Sequence, residues 1–317
     1  MAYSAFDGSG WWYEGGGLTR GVDLVSFPAA VHLALEGGVF PVSSLPPNAT
    51  IKMATPGNGS AGLVADAVQV AVQVTLVNGG PGDVTVEVDI EVTDPATGAV
   101  VGKTSQTGVV VPASTSSVAT AANLAMTGAK LWSIPRPHLY SLSLTVSTVT
   151  GAGGRRVIDA VTMPLGLRTA EWDPATGMRL NRQRVRFKGF CLHDDFAGVG
   201  VAVPDRINLF RAQSLRGIGA NAWRFSHNPG SRATLSLLDT LGVMVWQENR
   251  QFDTDPSHVS GMAEMVLQSR HHPAVMIYSV CNEAHCKYYD ASGPGNGLNR
   301  DRPIDQIAAG ESYMATA

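Results

Sequence analysis

Two rhythms of apolar and polar positions divide this chain. From about Phe27 to Leu167 apolar residues recur at every second position, the period of a strand with one face buried. The alternation is plain in Val68-Gln69-Val70-Ala71-Val72-Gln73-Val74-Thr75-Leu76 and in Val84-Thr85-Val86-Glu87-Val88-Asp89-Ile90-Glu91-Val92. With Asn78-Gly79-Gly80-Pro81-Gly82 as a turn between them, this predicts two antiparallel strands of one half-exposed sheet. Asp94-Pro95-Ala96-Thr97-Gly98 is a further turn, and the alternation returns through Leu142, Leu144 and Val146. Strands at this spacing predict an immunoglobulin-like β-sandwich. Glu87, Asp89 and Glu91 fall on the polar phase of their strand and read as a solvated face, and the Pro-, Gly-, Asn- and Ser-rich stretch 37–61 reads as a surface loop.

After Leu167 the rhythm changes to strands alternating with helices. The run 185–192 predicts a strand ending at His193-Asp194-Asp195. Pro204-Asp205 then opens a helix with Ile207, Phe210, Leu215 and Ile218 as its buried stripe and Gly219 as its stop. The strand 220–225 ends at Ser226-His227-Asn228. Ser231 caps a helix built on Leu235, Leu238 and Leu241 and closed by Gly242. Val243-Met244-Val245-Trp246 ends at Gln247-Glu248-Asn249, and Asp255-Pro256 begins a helix carrying Val259, Met262, Ala263 and Val266. The run 274–280 is apolar at nearly every position and stops at Asn282-Glu283, as a parallel strand buried on both faces does when it delivers polar groups at its carboxyl end. Successive βα units of this kind predict half of a (β/α) barrel.

Composition adds exclusions more than identity. Over 317 residues only 15% are charged and the net charge is -3, so neither a nucleic acid nor an anionic membrane surface is an expected partner. No apolar run approaches the ~18 to 20 residues of a spanning helix, and Met1 to Gly10 shows no secretory pattern. Cys191, Cys281 and Cys286 form no Cys-x-x-Cys or Cys/His array, and the first two sit in apolar runs where small buried hydrophobes are expected. Trp11-Trp12-Tyr13 precede three glycines, and structural packing is the expected role of these aromatics over a sugar platform.

The chemistry collects at the predicted strand ends: His193, Asp194, Arg224, His227, Asn228, Glu248, Asn282 and Glu283. Singly each has a structural explanation, since a strand-end histidine can be a satisfied core group, Arg224 can pair with any acid, and Asn282-Glu283 can simply begin a loop. Together they occupy one rim. The histidines lack zinc-ligand spacing, and no nucleophile elbow or phosphate-cradling loop appears. A polar rim with one privileged carboxylate suits sugar chemistry, in which a carboxyl protonates the leaving oxygen while amides and imidazoles grip hydroxyls.

These residues resemble glycoside hydrolase family 2, the β-galactosidases, β-glucuronidases and β-mannosidases. The stretch 10–20 is similar to the close of the family's jelly-roll domain, 131–140 to late strands of its immunoglobulin-like domain, and Gly166-Leu167-Arg168 to the junction with its barrel. Lys188 to His193, Arg224 to Pro229 and Ser279 to Glu283 resemble its barrel motifs in the right order. The resemblance implies a jelly-roll remnant over 1–27, an immunoglobulin-like sandwich over 28–167 and an incomplete TIM (β/α) barrel over 168–317. It implies Glu283 as general acid/base, Asn282 bonding the sugar 2-hydroxyl, His193 and His227 holding hydroxyls or the transition state, and Arg224 near the nucleophilic carboxylate. The family nucleophile belongs to a later strand, Glu248 reads as a supporting acid in the pocket, and Asn228 is counted with the substrate-binding residues of the rim. No cofactor or metal is implied, the expected partner is a carbohydrate substrate, and an oligomer is compatible with the complete protein. A non-catalytic carbohydrate-binding or interaction protein is the alternative left open.

Overall fold

A computed structural model describes residues 18–54, 62–150, 154–249, 256–280 and 282. The first half is a sandwich of two antiparallel sheets. One is organised on the long strand β4 (Leu63–Asn78). Three short strands, β1 (Val31–Leu33), β2 (Val39–Ser44) and β3 (Ile51–Met53), tile one edge of β4. The other sheet runs β6 (Ala99–Val111), β5 (Val84–Asp94), β8 (Tyr140–Val149) and β9 (Arg155–Leu165). Between them in sequence, β7 (Thr115–Lys130) pairs along the remaining edge of β4.

Alternation places the inward residues as expected. Val68, Val70, Val72, Val74 and Leu76 of β4 share one buried core with Val86, Val88, Ile90 and Val92 of β5 and with Leu142, Leu144 and Val146 of β8. The pairing is different. β4 and β5 lie in opposite sheets, so the link 78–82 crosses the sandwich instead of closing a hairpin. Asn78 explains why: its buried amide donates to the Gly82 and Val111 carbonyls, and Gly79 N donates to Ala30 O. Those bonds direct the link across the layer, and alternation cannot distinguish strands that face each other from strands that pair. The stretch 37–61 is likewise not all loop, because it contains β2 and β3. Pro41 lies within β2, since an edge strand tolerates proline where no partner needs its N–H.

A small three-stranded sheet follows, made of β10 (Ala170–Asp173), β11 (Gly177–Leu180) and β12 (Gln183–Arg184). The parallel sheet then runs in order β13 (Gly189–His193), β14 (Ala222–Ser226), β15 (Met244–Glu248) and β16 (Val275–Ser279). Helices α1 (Asp205–Gly217), α2 (Arg232–Leu241) and α3 (Pro256–Ser269) connect these strands. Residues 185–188 precede the strand predicted to include them, because the Asn221 side chain takes the place of a neighbouring strand. It donates to Arg186 O and accepts from Lys188 N. On α2 the Ser231 cap and the left-handed Gly242 stand as expected. On α1 the buried positions are Asn208 and Ala212, while Phe210 and Ile218 are exposed. Asn208 is drawn inward because its amide donates to Thr234 Oγ1 of α2. No described helix is long and apolar enough to cross a membrane.

Sandwich and barrel segment are joined by a polar network inside an apolar shell. Trp132, fully buried, belongs to the second core, and its indole N–H donates 2.8 Å to the Asp239 backbone carbonyl near the end of α2. The Asp239 carboxylate accepts from His272 Nδ1 at 2.5 Å and from Ala274 N at 2.9 Å. Arg168 donates to Pro273 O at 2.8 Å and to Val275 O at 2.7 Å. Burial raises the Asp239 pKa above the usual carboxylate value, and the His272 and Ala274 donors hold the rise back.

Gly166 packs against this junction so closely that an added Cβ would lie 2.5 Å from Pro273 Cγ. Gly166→Ala is therefore expected to destabilise the chain by about 1–3 kcal/mol through overpacking, whereas Gly82→Ala, with nothing within 4 Å, should change little. Urea denaturation of both variants measures the difference, and equal midpoints would contradict the tight junction.

His271, in the turn before β16, supplies a pH dependence. Burial first, then His272, Arg232 and Arg270, lowers its pKa to about 4. The unfolded chain binds this proton below about pH 6.5, while the folded chain refuses it until about 4, so folding stability drains away as pH falls across that window. Melting at pH 7 and pH 5 should show a larger acid loss for the native chain than for His271→Gln, by about 1–2 kcal/mol after screening. Identical losses would show that His271 is not held neutral.

Candidate active site

The carboxyl ends of the four parallel strands face one way, and their polar side chains meet there. Arg224, in the middle of β14, lies level with Cys191 of β13 and Trp246 of β15 in the strand register. Its guanidinium carbon sits 5.6 Å from the Trp246 ring centroid, a cation–π contact. Nη1 reaches Cys191 Sγ at 3.1 Å, and Nη2 bonds both Glu248 Oε2 and Asn282 Oδ1, the latter at 2.7 Å. Glu248 is completely buried at the end of β15, and its other oxygen accepts from His227 Nδ1 at 2.5 Å. Both carboxylate oxygens are thus engaged by N–H donors. Burial alone would lower the Arg224 pKa, but Cys191 and Glu248 outweigh it and raise it.

His227 is 7% exposed. Its Nδ1 is directed at Glu248 Oε1, and the carboxylate accepts there, so that nitrogen is the donor of the pair. His193, at the end of β13, meets it edge to face with centroids 5.2 Å apart. Burial, His227, Arg211 and Arg224 together lower the His193 pKa against the opposing pull of Asp195. Arg211 of α1 also donates to the His193 carbonyl at 2.8 Å. Asn228 follows His227, half-buried.

Of the residues singled out in the sequence, the structure brings His193, Arg224, His227, Glu248 and Asn282 into one connected group. Glu283, the expected acid/base, lies outside the described residues, as do Cys281, Cys286, Trp11-Trp12-Tyr13 and the stretch 283–317. Cys191 is corrected: it is exposed with its sulfur toward Arg224, because β13 is the outer strand of the described sheet and has no neighbour on one side to cover it. Trp246 and Arg211 were not foreseen as site residues. Trp246 read only as the last apolar residue of a strand and Arg211 drew no reading, and their contacts come from strand register and from the seating of α1 beside β13. Among the described residues no cluster of three or more His, Cys, Asp or Glu is arranged to hold a metal ion.

The arrangement predicts that Glu248 stabilises the site as well as shaping it. Glu248→Ala leaves Arg224, 20% exposed, without its carboxylate and is expected to cost about 3–5 kcal/mol. Glu248→Gln keeps the shape and should lose about half of that. Chemical denaturation measures both, and a loss below about 0.5 kcal/mol for the alanine variant would show that the network carries no stability.

With the geometry established, comparison with known proteins identifies the lineage. Residues 60–168 match the family model for glycosyl hydrolases family 2, and residues 175–254 match the family 2 TIM barrel domain. A β-galactosidase of Bacteroides ovatus is 30% identical over 174 residues, covering 51% of this chain and 20% of that protein. A β-glucuronidase of Chlorocebus aethiops is 33% identical over 177 residues, covering 50% of this chain and 26% of its own length. The crystal structure of a family 2 member from Bacteroides cellulosilyticus superposes with a TM-score of 0.66 at 27% identity, covering 80% of this chain and 32% of that one. The chain spans about a fifth to a third of the proteins it matches. A sandwich followed by an incomplete TIM barrel, with both parts matching in order, makes this chain a member of glycosyl hydrolase family 2.

Proposed function

We propose that this chain carries the sugar-gripping side of a glycosidase active site, cleaving β-galactosides or related β-glycosides by a retaining, two-carboxylate route. One observation carries the reading: Asn282, the residue immediately before Glu283, is bonded to Arg224 in the same network as Glu248 and His227. Glu283, the candidate acid/base, follows in sequence a group already tied into the polar rim. A neutral amide and two imidazoles suit hydroxyl recognition, with each ring offering one donor or acceptor in a fixed direction.

In this mechanism the Glu283 carboxyl donates its proton to the glycosidic oxygen as the bond to the anomeric carbon breaks. A second carboxylate, about 5 Å away, attacks that carbon and forms a glycosyl ester. Glu283, now a carboxylate, takes a proton from water as the water oxygen attacks the anomeric carbon and the ester bond breaks. Glu248 does not suit the attacking role, because it is fully buried and both its oxygens are occupied. It suits holding Arg224 and orienting the His227 ring, and the reading assigns the nucleophile to a glutamate outside this chain. Asn282 would bond the 2-hydroxyl, a contact that strengthens as charge develops at the anomeric carbon.

Two measurements test this. The chain is expected to bind phenyl 1-thio-β-galactoside weakly, with Asn282→Ala reducing affinity about three- to tenfold. With 4-nitrophenyl β-galactoside or β-glucuronide it is expected to show no turnover above a Glu283→Ala control. Absence of binding at about 10 mM would overturn the sugar reading. Enzyme-like turnover abolished by Glu283→Ala would instead place the nucleophile inside this chain, with Glu248 the first residue to test.

A further inference from the structure

The two imidazoles at the rim stand on different strands, and their relation depends on how the loops after β13 and β14 are held. His193 is the last residue of β13 and lies level with Ser226, the last of β14, so the chain leaves both strands at the same height. One side chain from outside the barrel segment meets both departing loops. Arg20, in the segment that precedes the sandwich, places Nη2 at 2.8 Å from Asp194 Oδ2 and at 2.7 Å from Pro229 O. Asp194 directly follows His193, and Pro229 lies two residues beyond His227. The second loop is tied onward as well, since Gly230 N donates to Gln247 Oε1 of β15 at 2.8 Å.

We infer that Arg20 is a positioning residue for the active site: its guanidinium clamps the loops after β13 and β14 together and so sets the edge-to-face pairing of His193 with His227. The inference rests on the sugar-binding reading of those imidazoles. Stability is not its purpose. The Arg20 and Asp194 side chains are 46% and 36% exposed, and an ion pair so open to solvent contributes about 0–1 kcal/mol. Its effect is directional, because a single nitrogen holds a carboxylate and a carbonyl that belong to two different loops. The His193 ring itself is faced by His227, Asp195, Arg211 and Arg224, so the clamp acts on it through the backbone and not by direct contact. Arg211 fixes the His193 carbonyl from the helix side, so the loop is gripped from two directions. A sequence reading finds no reason to connect Arg20 with a rim more than 170 positions away.

The test uses the chain with its histidine rings isotopically labelled, each assigned by single His→Gln replacement. The expected result for Arg20→Gln is loss of the nuclear Overhauser contact between the His193 and His227 rings, because the two loops are no longer held by one guanidinium. The melting temperature should change by less than about 3 °C. Arg20→Lys, whose ammonium can meet both oxygens, should restore the ring contact. Affinity for phenyl 1-thio-β-galactoside should fall about fivefold in Arg20→Gln and recover in Arg20→Lys. Unchanged ring signals in Arg20→Gln overturn the clamp, whatever the sugar result. If the rings respond but the native chain binds no thiogalactoside, the clamp stands and the glycosidase reading fails. Should Arg20→Gln fail to fold, Asp194→Asn removes the same ion pair from the other side and decides by the same ring signals.

Discussion

The structure turns on a carboxylate buried where sandwich meets barrel. Asp239 is 2% exposed. Burying an ion is tolerable only where donors replace the lost water, and here they come from the turn entering β16. The same residue offers its backbone carbonyl to Trp132 at the end of the sandwich. Arg168, on the linker, adds bonds to Pro273 and Val275 on the same turn. One position therefore registers three segments distant in sequence: the last turn of α2, the start of β16 and the exit from the sandwich.

This registration matters for the site because β16 carries Asn282 just beyond its end. The network of Arg224, Glu248, His227 and Asn282 is assembled from three adjacent strands, so its geometry is only as good as the sheet's alignment. A parallel sheet held at its amino end by the Asp239 turn and packed on one face by helices presents its other end as a rigid floor. Glu248 then performs locally what Asp239 performs at the junction. It is a buried acid whose two oxygens tie a cation and an imidazole from the neighbouring strand.

The rim is more loosely built than the floor. Its loops are held by exposed or half-exposed side chains such as Arg211 and Arg20, whose contacts reach the backbone and acids beside the imidazoles, not the rings themselves. A division of this kind, with buried charge networks fixing the strands and surface arginines aligning the loops, lets the polar groups be held firmly without the whole rim being buried.

Much of this was legible in the residues alone. Alternation over 68–76 and 84–92 located the sandwich strands and their buried faces, because side-chain direction follows from strand period without knowledge of partners. The Ser231 cap and Gly242 stop marked α2 for equally local reasons, and the abrupt polar ends of apolar runs pointed to His227, Glu248 and Asn282, whereas Arg224, grouped with those ends, lies in mid-strand. Partnership was not legible. Alternation could not say that β4 and β5 lie in opposite sheets, that Asn208 and not Phe210 turns inward on α1, or that Cys191 faces the arginine instead of the core. Those outcomes are set by hydrogen bonds and cross-strand register between residues far apart in sequence, and such contacts exist only once the chain has folded.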